Sequence, residues 1–387
     1  MFAALVLAAC GSGPAETGPA GSPSPSLATP TATAGAAATP AAPRVYALQM
    51  VDVSVGWALT TDERVLRTAD GGQRWSDVSP DDPAWRAVTF DEVAWDVLDA
   101  ANAWLLVPAA GGASGILLRT QDGGRSWLRE LAPSASGFLS FADPAHGWLL
   151  HMNPGAAGGE AAVLWATADG GAHWAEAAIT AGKSGGLPAQ GDKRGITLRD
   201  ASAGWLACFA PAPGRACLYR SQDGGRTWRP ELVRAPARYG MAEVATAPPI
   251  FFTGETGVLP LAFNGGKPPA GAVAFYVTRD GGATWSATTP VSSLGPTSLI
   301  DAQHWRTIGA PANPKEQPSL LVTDDAGAHW RSVTANIGLG PVVQLDFVSP
   351  DVGWAVDPAV ASGLIVTRDG GRTWSAVDVE VGAAGAR

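Results

Sequence analysis

One phrase of eight residues recurs seven times along the chain: a Ser or Thr, Asp two places later, Gly in the fifth position and Trp in the eighth. The copies occupy 68–75, 120–127, 167–174, 221–228, 278–285, 323–330 and 367–374. They place Asp70, Asp122, Asp169, Asp223, Asp280, Asp325 and Asp369 ahead of Trp75, Trp127, Trp174, Trp228, Trp285, Trp330 and Trp374. Successive Trp residues lie 52, 47, 54, 57, 45 and 44 residues apart. A period of that size marks a repeat array and decides the fold class before any local reading.

The phrase reads as a hairpin turn. Strand-like runs precede it, such as Val65-Leu66-Arg67 and Leu218-Tyr219-Arg220. Asp-Gly-Gly then supplies the positive φ that a tight reversal needs. The carboxylate and the hydroxyl can satisfy backbone groups inside the turn. The Trp returns on the outgoing strand, where its indole covers the turn. In one copy Ala326 replaces the first Gly, so the second Gly carries the stricter requirement.

In this form the phrase is the Asp box, and it resembles the repeat of bacterial neuraminidases, sortilin-type receptors and photosystem II stability/assembly factors. The last resemblance is the nearest, because there the box follows a strand opening with Gly-Trp. Such openings stand here at Gly56-Trp57, Gly147-Trp148, Gly204-Trp205 and Gly353-Trp354, with degenerate versions at Ala103-Trp104, Gly257-Val258 and His304-Trp305. The resemblance spans roughly residues 45 to 380 and implies fold far more strongly than activity.

Each repeat divides into four strands; in the last they fall at 342–348, 353–356, 365–367 and 374–379. Four strands per unit make a propeller blade. The expectation is an all-β protein: one seven-bladed β-propeller of four-stranded antiparallel blades over 45–387, preceded by a disordered tether. The Asp-box turns and the turns before Gly-Trp then share one face. The opposite face carries the connections 151–162, 209–216, 263–272 and 309–318 and the crossings 180–195 and 231–246, where the repeats differ most. Variable loops on a rigid scaffold are where binding resides.

Residues 1–9 are apolar and end Leu7-Ala8-Ala9-Cys10, which looks like a bacterial lipobox, with Cys10 as the lipidated residue. The segment is too short to span a bilayer and lacks a basic start, so it reads as a lipoprotein signal in which Met1 is either the start or a residue inside a longer signal. Residues 10–44 form the linker; 11–43 are almost entirely Gly, Ala, Ser, Thr and Pro, with Glu16 the single charge before Arg44. Such composition cannot bury a core. A tether of this length reaches on the order of 30 Å as a coil. The expected location is extracytoplasmic, anchored to the cell membrane by lipid.

Export also bears on Cys208 and Cys217, which flank the connection 209–216. They are either a disulfide permitted by an oxidising compartment or two buried thiols, with the bond favoured. The net charge of −9 gives no sign of a nucleic-acid partner. The five His residues show no metal spacing, and no cofactor is expected: His173 and His329 lie inside Asp boxes, His146 and His304 in blade turns, His151 at a loop start.

Two functions compete. A sialidase-like glycosidase is the enzyme alternative; those propellers use an arginine triad and a Tyr nucleophile with a Glu. Tyr239 and Glu243, near Arg234 and Arg238, are the weak catalytic candidates here. The Arg-Ile-Pro motif of that family is absent, its wheels have six blades, and the two-propeller cleft of xyloglucanase-like enzymes is missing from a chain with one. The preferred reading is a non-catalytic binding or assembly module, monomeric, whose partner is a protein or a polysaccharide. Its candidate partner face gathers Lys183, Lys193, Arg194, Arg234, Arg238, Lys267 and Lys315.

Overall fold

The structure, a computed structural model, describes residues 43–109, 112, 114–153, 161–180, 186–189, 191–209, 212–264, 271–311 and 315–382. Seven antiparallel sheets stand around one axis, each a meander of four strands, and together they form a seven-bladed propeller. The innermost strands are Val45–Met50, Ala94–Val97, Phe138–Phe141, Asp192–Leu198, Glu243–Thr246, Ser293–Leu299 and Gln344–Phe347. The second strands are Gly56–Thr60, Ala103–Pro108, Gly147–Asn153, Gly204–Phe209, Gly257–Asn264, Trp305–Gly309 and Gly353–Val356, and they are buried along most of their length. In blade five Pro248 and Pro249 cannot donate to a ladder. A short piece, Ile250–Phe251, therefore completes the innermost position beside Gly257–Asn264.

The seven turns share one geometry. The Thr or Ser hydroxyl donates to the Asp Oδ1 at 2.7–3.0 Å. The same hydroxyl accepts the second glycine's N–H at 2.8–3.0 Å. Oδ1 in turn accepts the N–H four residues on at 2.8–2.9 Å. The N–H of the first Gly, or of Ala326, donates to a carbonyl in the same blade's first turn, for example Gly71 to Ser54 and Ala326 to Gln303. Both turns of a blade therefore lie on one face, here called the turn face. The second-to-third connections and the crossings lie on the other, the loop face.

Blades meet through aromatic side chains. Trp57 lies edge-on to Trp127 of the next blade, ring centres 6.5 Å apart, and Trp148 to Trp228 at 5.6 Å. Trp104 stacks on Phe141 at 3.8 Å and Trp205 on Phe251 at 4.5 Å. Arginines facing these indoles add stitches: Arg67 donates to the Ala100 carbonyl, and Arg220 to the Gly281 and Gly282 carbonyls while covering Trp205.

Blade six corrects the sequence reading. There Trp305 pairs with Thr323, the position Gly56 takes opposite Thr68, and Arg306 pairs with Val322, the position Trp57 takes opposite Arg67. The degenerate opening is thus Trp305-Arg306 and not His304-Trp305. Trp305 packs backward on Phe275 of blade five at 5.1 Å, filling space left by Val258, which stands where other blades carry Trp. Arg306 is buried; it donates to the carbonyls of Trp305, Thr323 and Pro350 and pairs with Asp324 at 3.1 Å. The last blade is also shorter than expected at its edge, its fourth strand being Ser375–Ala376.

The ring closes at two radii. Inside, Met50 N–H donates to Asp346 Oδ2 at 2.6 Å, and Gln344 exchanges bonds with both backbone groups of Leu48. Outside, Val381–Gly382 adds a parallel fifth strand to blade one, beside Trp75 and Ser76.

The turns yield a stability prediction. Ala326 holds φ 57°, within the left-handed region that its six glycine counterparts occupy at 65–76°. Ala326→Gly should raise stability by about 1 kcal/mol by relieving the Cβ clash of that region. Gly327 has φ 79°, and a Cβ there would stand 2.8 Å from Trp305 Cζ3 and 3.0 Å from Thr288 Cγ2. Gly327→Ala should lower stability by roughly 2–3 kcal/mol. Urea denaturation of both variants measures the two shifts, and equal effects of one sign would refute this account of the turn.

Candidate functional site

The turn face is chemically committed to the fold. Hydrogen bonds from the Thr284 hydroxyl and N–H hold the Asp280 carboxyl down at about 2, and those from the Thr373 N–H and hydroxyl do the same for Asp369. Carboxylates so engaged stay ionised and have no proton to give near neutrality. His173 and His329 close on the turn as well, each ring Nδ1 lying 2.7 Å from an Oδ2 of Asp169 or Asp325. The arginines at the turn tips follow suit: Arg125, Arg226 and Arg372 donate to the carbonyl of their own turn's Asp. Among the described residues no group of three His, Cys, Asp or Glu is placed to hold a metal ion.

At the axis a second repeated position emerges. Gln49, Asp96, Ser140, Thr197, Ile250, Ser298 and Asp346 each stand eight residues ahead of Trp57, Trp104, Trp148, Trp205, Val258, Arg306 and Trp354 and directly across the strand pair from them. The innermost strand of a blade has no further strand to pair with, so its outward N–H groups need partners. The side chains at this position supply them to the neighbouring blade. Asp96 accepts Phe141 N–H at 2.6 Å, Ser140 accepts Leu198 N–H at 2.9 Å, and Ser298 accepts Phe347 N–H at 2.9 Å. Asp346 accepts Met50 N–H, while Gln49 donates to the Val97 carbonyl at 2.9 Å. Burial, opposed by these backbone bonds, pushes the carboxyls of Asp96 and Asp346 up to about 7.

Between the innermost strands lies an axial cavity of about 590 Å³. It extends from Tyr46, near the loop face, to Leu98, Ala142, Arg199 and Gly254 near the turn face, with Trp95, Leu139 and Phe252 on its walls.

On the loop face the structure separates the sequence-derived candidates. Arg234 and Arg238 are exposed on the crossing from blade four to blade five. Arg215, which forms a backbone bridge with Arg234, joins them. No ion pair engages these three among the described residues. Leu232 and Met241 of the same crossing are 75% and 85% exposed. Arg194 is exposed but paired with Asp192, and Lys315 is exposed in blade six. Lys193 must be corrected: it is buried at 1% exposure, across from Cys208 in the ladder, and donates to the Gly191 carbonyl. Lys183, Lys267 and Cys10 lie outside the described residues.

The catalytic candidates part company. Tyr239 ends a short 3-10 turn, Ala237–Tyr239, and its buried ring stacks on Phe263 at 4.6 Å. Glu243 is exposed at the head of the strand Glu243–Thr246. Tyr46 donates to the Phe90 carbonyl, and burial with the nearby charges of Glu63 and Asp91 pushes its hydroxyl far above the usual tyrosine range. Cys208 and Cys217 are joined in a disulfide across directly paired strand positions, Cα atoms 5.0 Å apart.

Sequence reasoning missed Arg215, Leu232 and Met241 because neither the connection 209–216 nor the crossing has a repeat to compare with. It missed the axial position although a signal existed, the fixed offset of eight residues before each Gly-Trp tryptophan.

No protein-family model and no curated protein sequence matches the chain. Solved structures do. YCF48 bound to a D1 peptide is 18% identical with a TM-score of 0.53, covering 85% of this chain and 94% of that one. YCF48 from Cyanidioschyzon merolae is 15% identical with a TM-score of 0.50, covering 86% and 97%. A GH74 xyloglucanase from Xanthomonas campestris is 16% identical with a TM-score of 0.56, covering 88% of this chain and 55% of that one. The chain is therefore similar in fold both to a peptide-bound propeller and to a propeller enzyme, and at these identities the likeness concerns the fold alone.

The axial carboxyls predict a pH dependence. Each binds its proton more tightly in the folded than in the unfolded chain. Their stabilising contribution is thus fully present below about pH 4 and lost as pH rises through about 7. Asp96→Asn and Asp346→Asn keep an oxygen to accept the neighbouring N–H but cannot ionise. At pH 8 each variant should exceed the parent by as much as about 4 kcal/mol, and the gap should close as pH falls to about 3. Urea titrations at the two pH values test this, and variants less stable than the parent at pH 8 would contradict it.

Proposed function

We propose that this chain is a non-catalytic, extracytoplasmic binding propeller, tethered to the membrane by a lipid on Cys10, that holds a segment of a partner protein on its loop face. The observation that carries this reading is the crossing between blades four and five. It presents Arg234 and Arg238, joined by Arg215 of the adjacent connection 209–216, without ion pairs among the described residues, beside the exposed side chains of Leu232 and Met241. Arginine and methionine are favoured at interfaces, and apolar side chains exposed to this degree within a cationic rim fit a partner of opposite charge with apolar anchors. On a chain of net charge −9 such a rim is a local exception.

The lipobox-like Leu7-Ala8-Ala9-Cys10 and the linker after it support tethering. The YCF48 structure with its bound D1 peptide offers a propeller of this fold that takes a protein segment. The sialidase-type alternative draws on Tyr239 and Glu243, and Tyr239 has its ring packed in the core.

The test is a crosslinking pull-down of the tagged, membrane-held protein, run on the parent and two triple variants. Changing Arg215, Arg234 and Arg238 to Glu should abolish capture of the principal partner. Changing Arg125, Arg226 and Arg372 to Glu on the turn face should leave it intact. Capture should also fall steeply with salt, as charge-steered binding does. Loss in the turn-face variant alone would overturn the proposal.

A further inference from the structure

The ring of axial stitches is interrupted in one sector. Five of the seven axial positions bond to the next blade's innermost strand, but Thr197 of blade four and Ile250 of blade five do not. Ile250 has no polar atom. The Thr197 hydroxyl has no partner among the described residues and is not sealed off from solvent. In the same sector Pro248 and Pro249 interrupt the innermost strand. The axial cavity lies against this sector: residues 196–199 and 249–254 form its wall there.

The remaining lining narrows the chemistry. Tyr46 donates to Phe90, Gln49 to Val97, and Gln344 is engaged with Leu48. Ser140 and Asp96 each accept a backbone N–H. Arg199 is engaged with Asp200 and the Gly281 carbonyl, and Thr253 accepts two N–H groups. Most of what is left to meet a ligand is carbon, on Trp95, Leu98, Leu139, Ile250 and Phe252, with the Thr197 hydroxyl, the Trp95 indole N–H and the Gln49 amide oxygen as the few side-chain polar groups that no hydrogen bond engages among the described residues. A ligand with more polar groups than these can meet would lose hydration at a cost of about 1–3 kcal/mol for each unpaired group. Apolar walls reward the transfer of carbon from water, and about 590 Å³ lies within the range of small-molecule sites.

We infer that the axial cavity is a binding site for a small, mainly apolar molecule, aromatic or aliphatic, that carries few hydrogen-bonding groups and offers one of them to Thr197. The inference stands on the axis and its unstitched sector, not on the loop-face arginines.

The test uses the full chain and N-phenyl-1-naphthylamine, an apolar aromatic amine with one N–H, followed by fluorescence. Saturable one-to-one binding is expected. Thr197→Trp, which fills the cavity, and Leu98→Asp, which places a charge on its wall, should each weaken binding at least tenfold. The Arg215, Arg234 and Arg238 charge-reversal variant should bind as the parent does. Near-UV circular dichroism establishes which variants are folded, and either cavity variant alone suffices. An absence of saturable binding, or unchanged affinity in a folded cavity variant, overturns the inference. So does loss of binding in the arginine variant, which would place the probe on the loop face.

Discussion

Each blade of this wheel is fastened to the next by a side chain of one blade pressed against a turn glycine of its neighbour, where a β-carbon would collide. A Cβ at Gly282 would stand 2.5 Å from Trp205, one at Gly225 3.2 Å from Trp148, and one at Gly124 2.7 Å from Val78. Trp57, Trp104, Trp148, Trp205 and Trp354 are all buried there. A buried indole removes some 150–250 Å² from water, several kcal/mol each at ordinary transfer values. Because the ring closes on itself, every blade has two such interfaces. The hydroxyl–carboxylate–amide turn holds the glycine in place, so the seven Asp residues serve the interfaces.

Departures from the repeat show how the constraint operates. Blade five carries Val258 in place of the indole, and the space is taken by Trp305 from the following blade. That in turn leaves the sixth blade's own position to Arg306, whose guanidinium satisfies three carbonyls and lies 5.8 Å from the Phe347 ring. The interface volume is conserved while its chemistry changes hands, as close packing requires.

The blade count, the two-faced arrangement and the turns were legible in the sequence because they rest on strictly repeated residues. The register of blade six was not, since Trp305 is visible where a tryptophan is expected, yet the pairing with Thr323 moves it one place. Lys193 was misplaced for a related reason: its position within a crossing gave no indication that the strand Asp192–Leu198 begins before it and turns its side chain inward. Tyr239 looked like a loop residue, but stacking on Phe263 gives it a packing role. Axial Asp96 and Asp346 were hidden because five residue types share the seven positions and only their offset is constant.

The two faces thus differ in what they leave uncommitted. On the turn face the Asp-box carboxylates and hydroxyls, with Arg125, Arg226 and Arg372, are bonded within their own turns, whereas the crossing at blades four and five exposes arginines and apolar side chains together. Photo-crosslinking in cells tests this division most directly, with a benzophenone amino acid placed at Met241 in one protein and at the exposed Gln73 turn tip in another. The account predicts a discrete adduct with one partner protein from Met241 and none from Gln73. A discrete adduct from Gln73 with none from Met241 would contradict it.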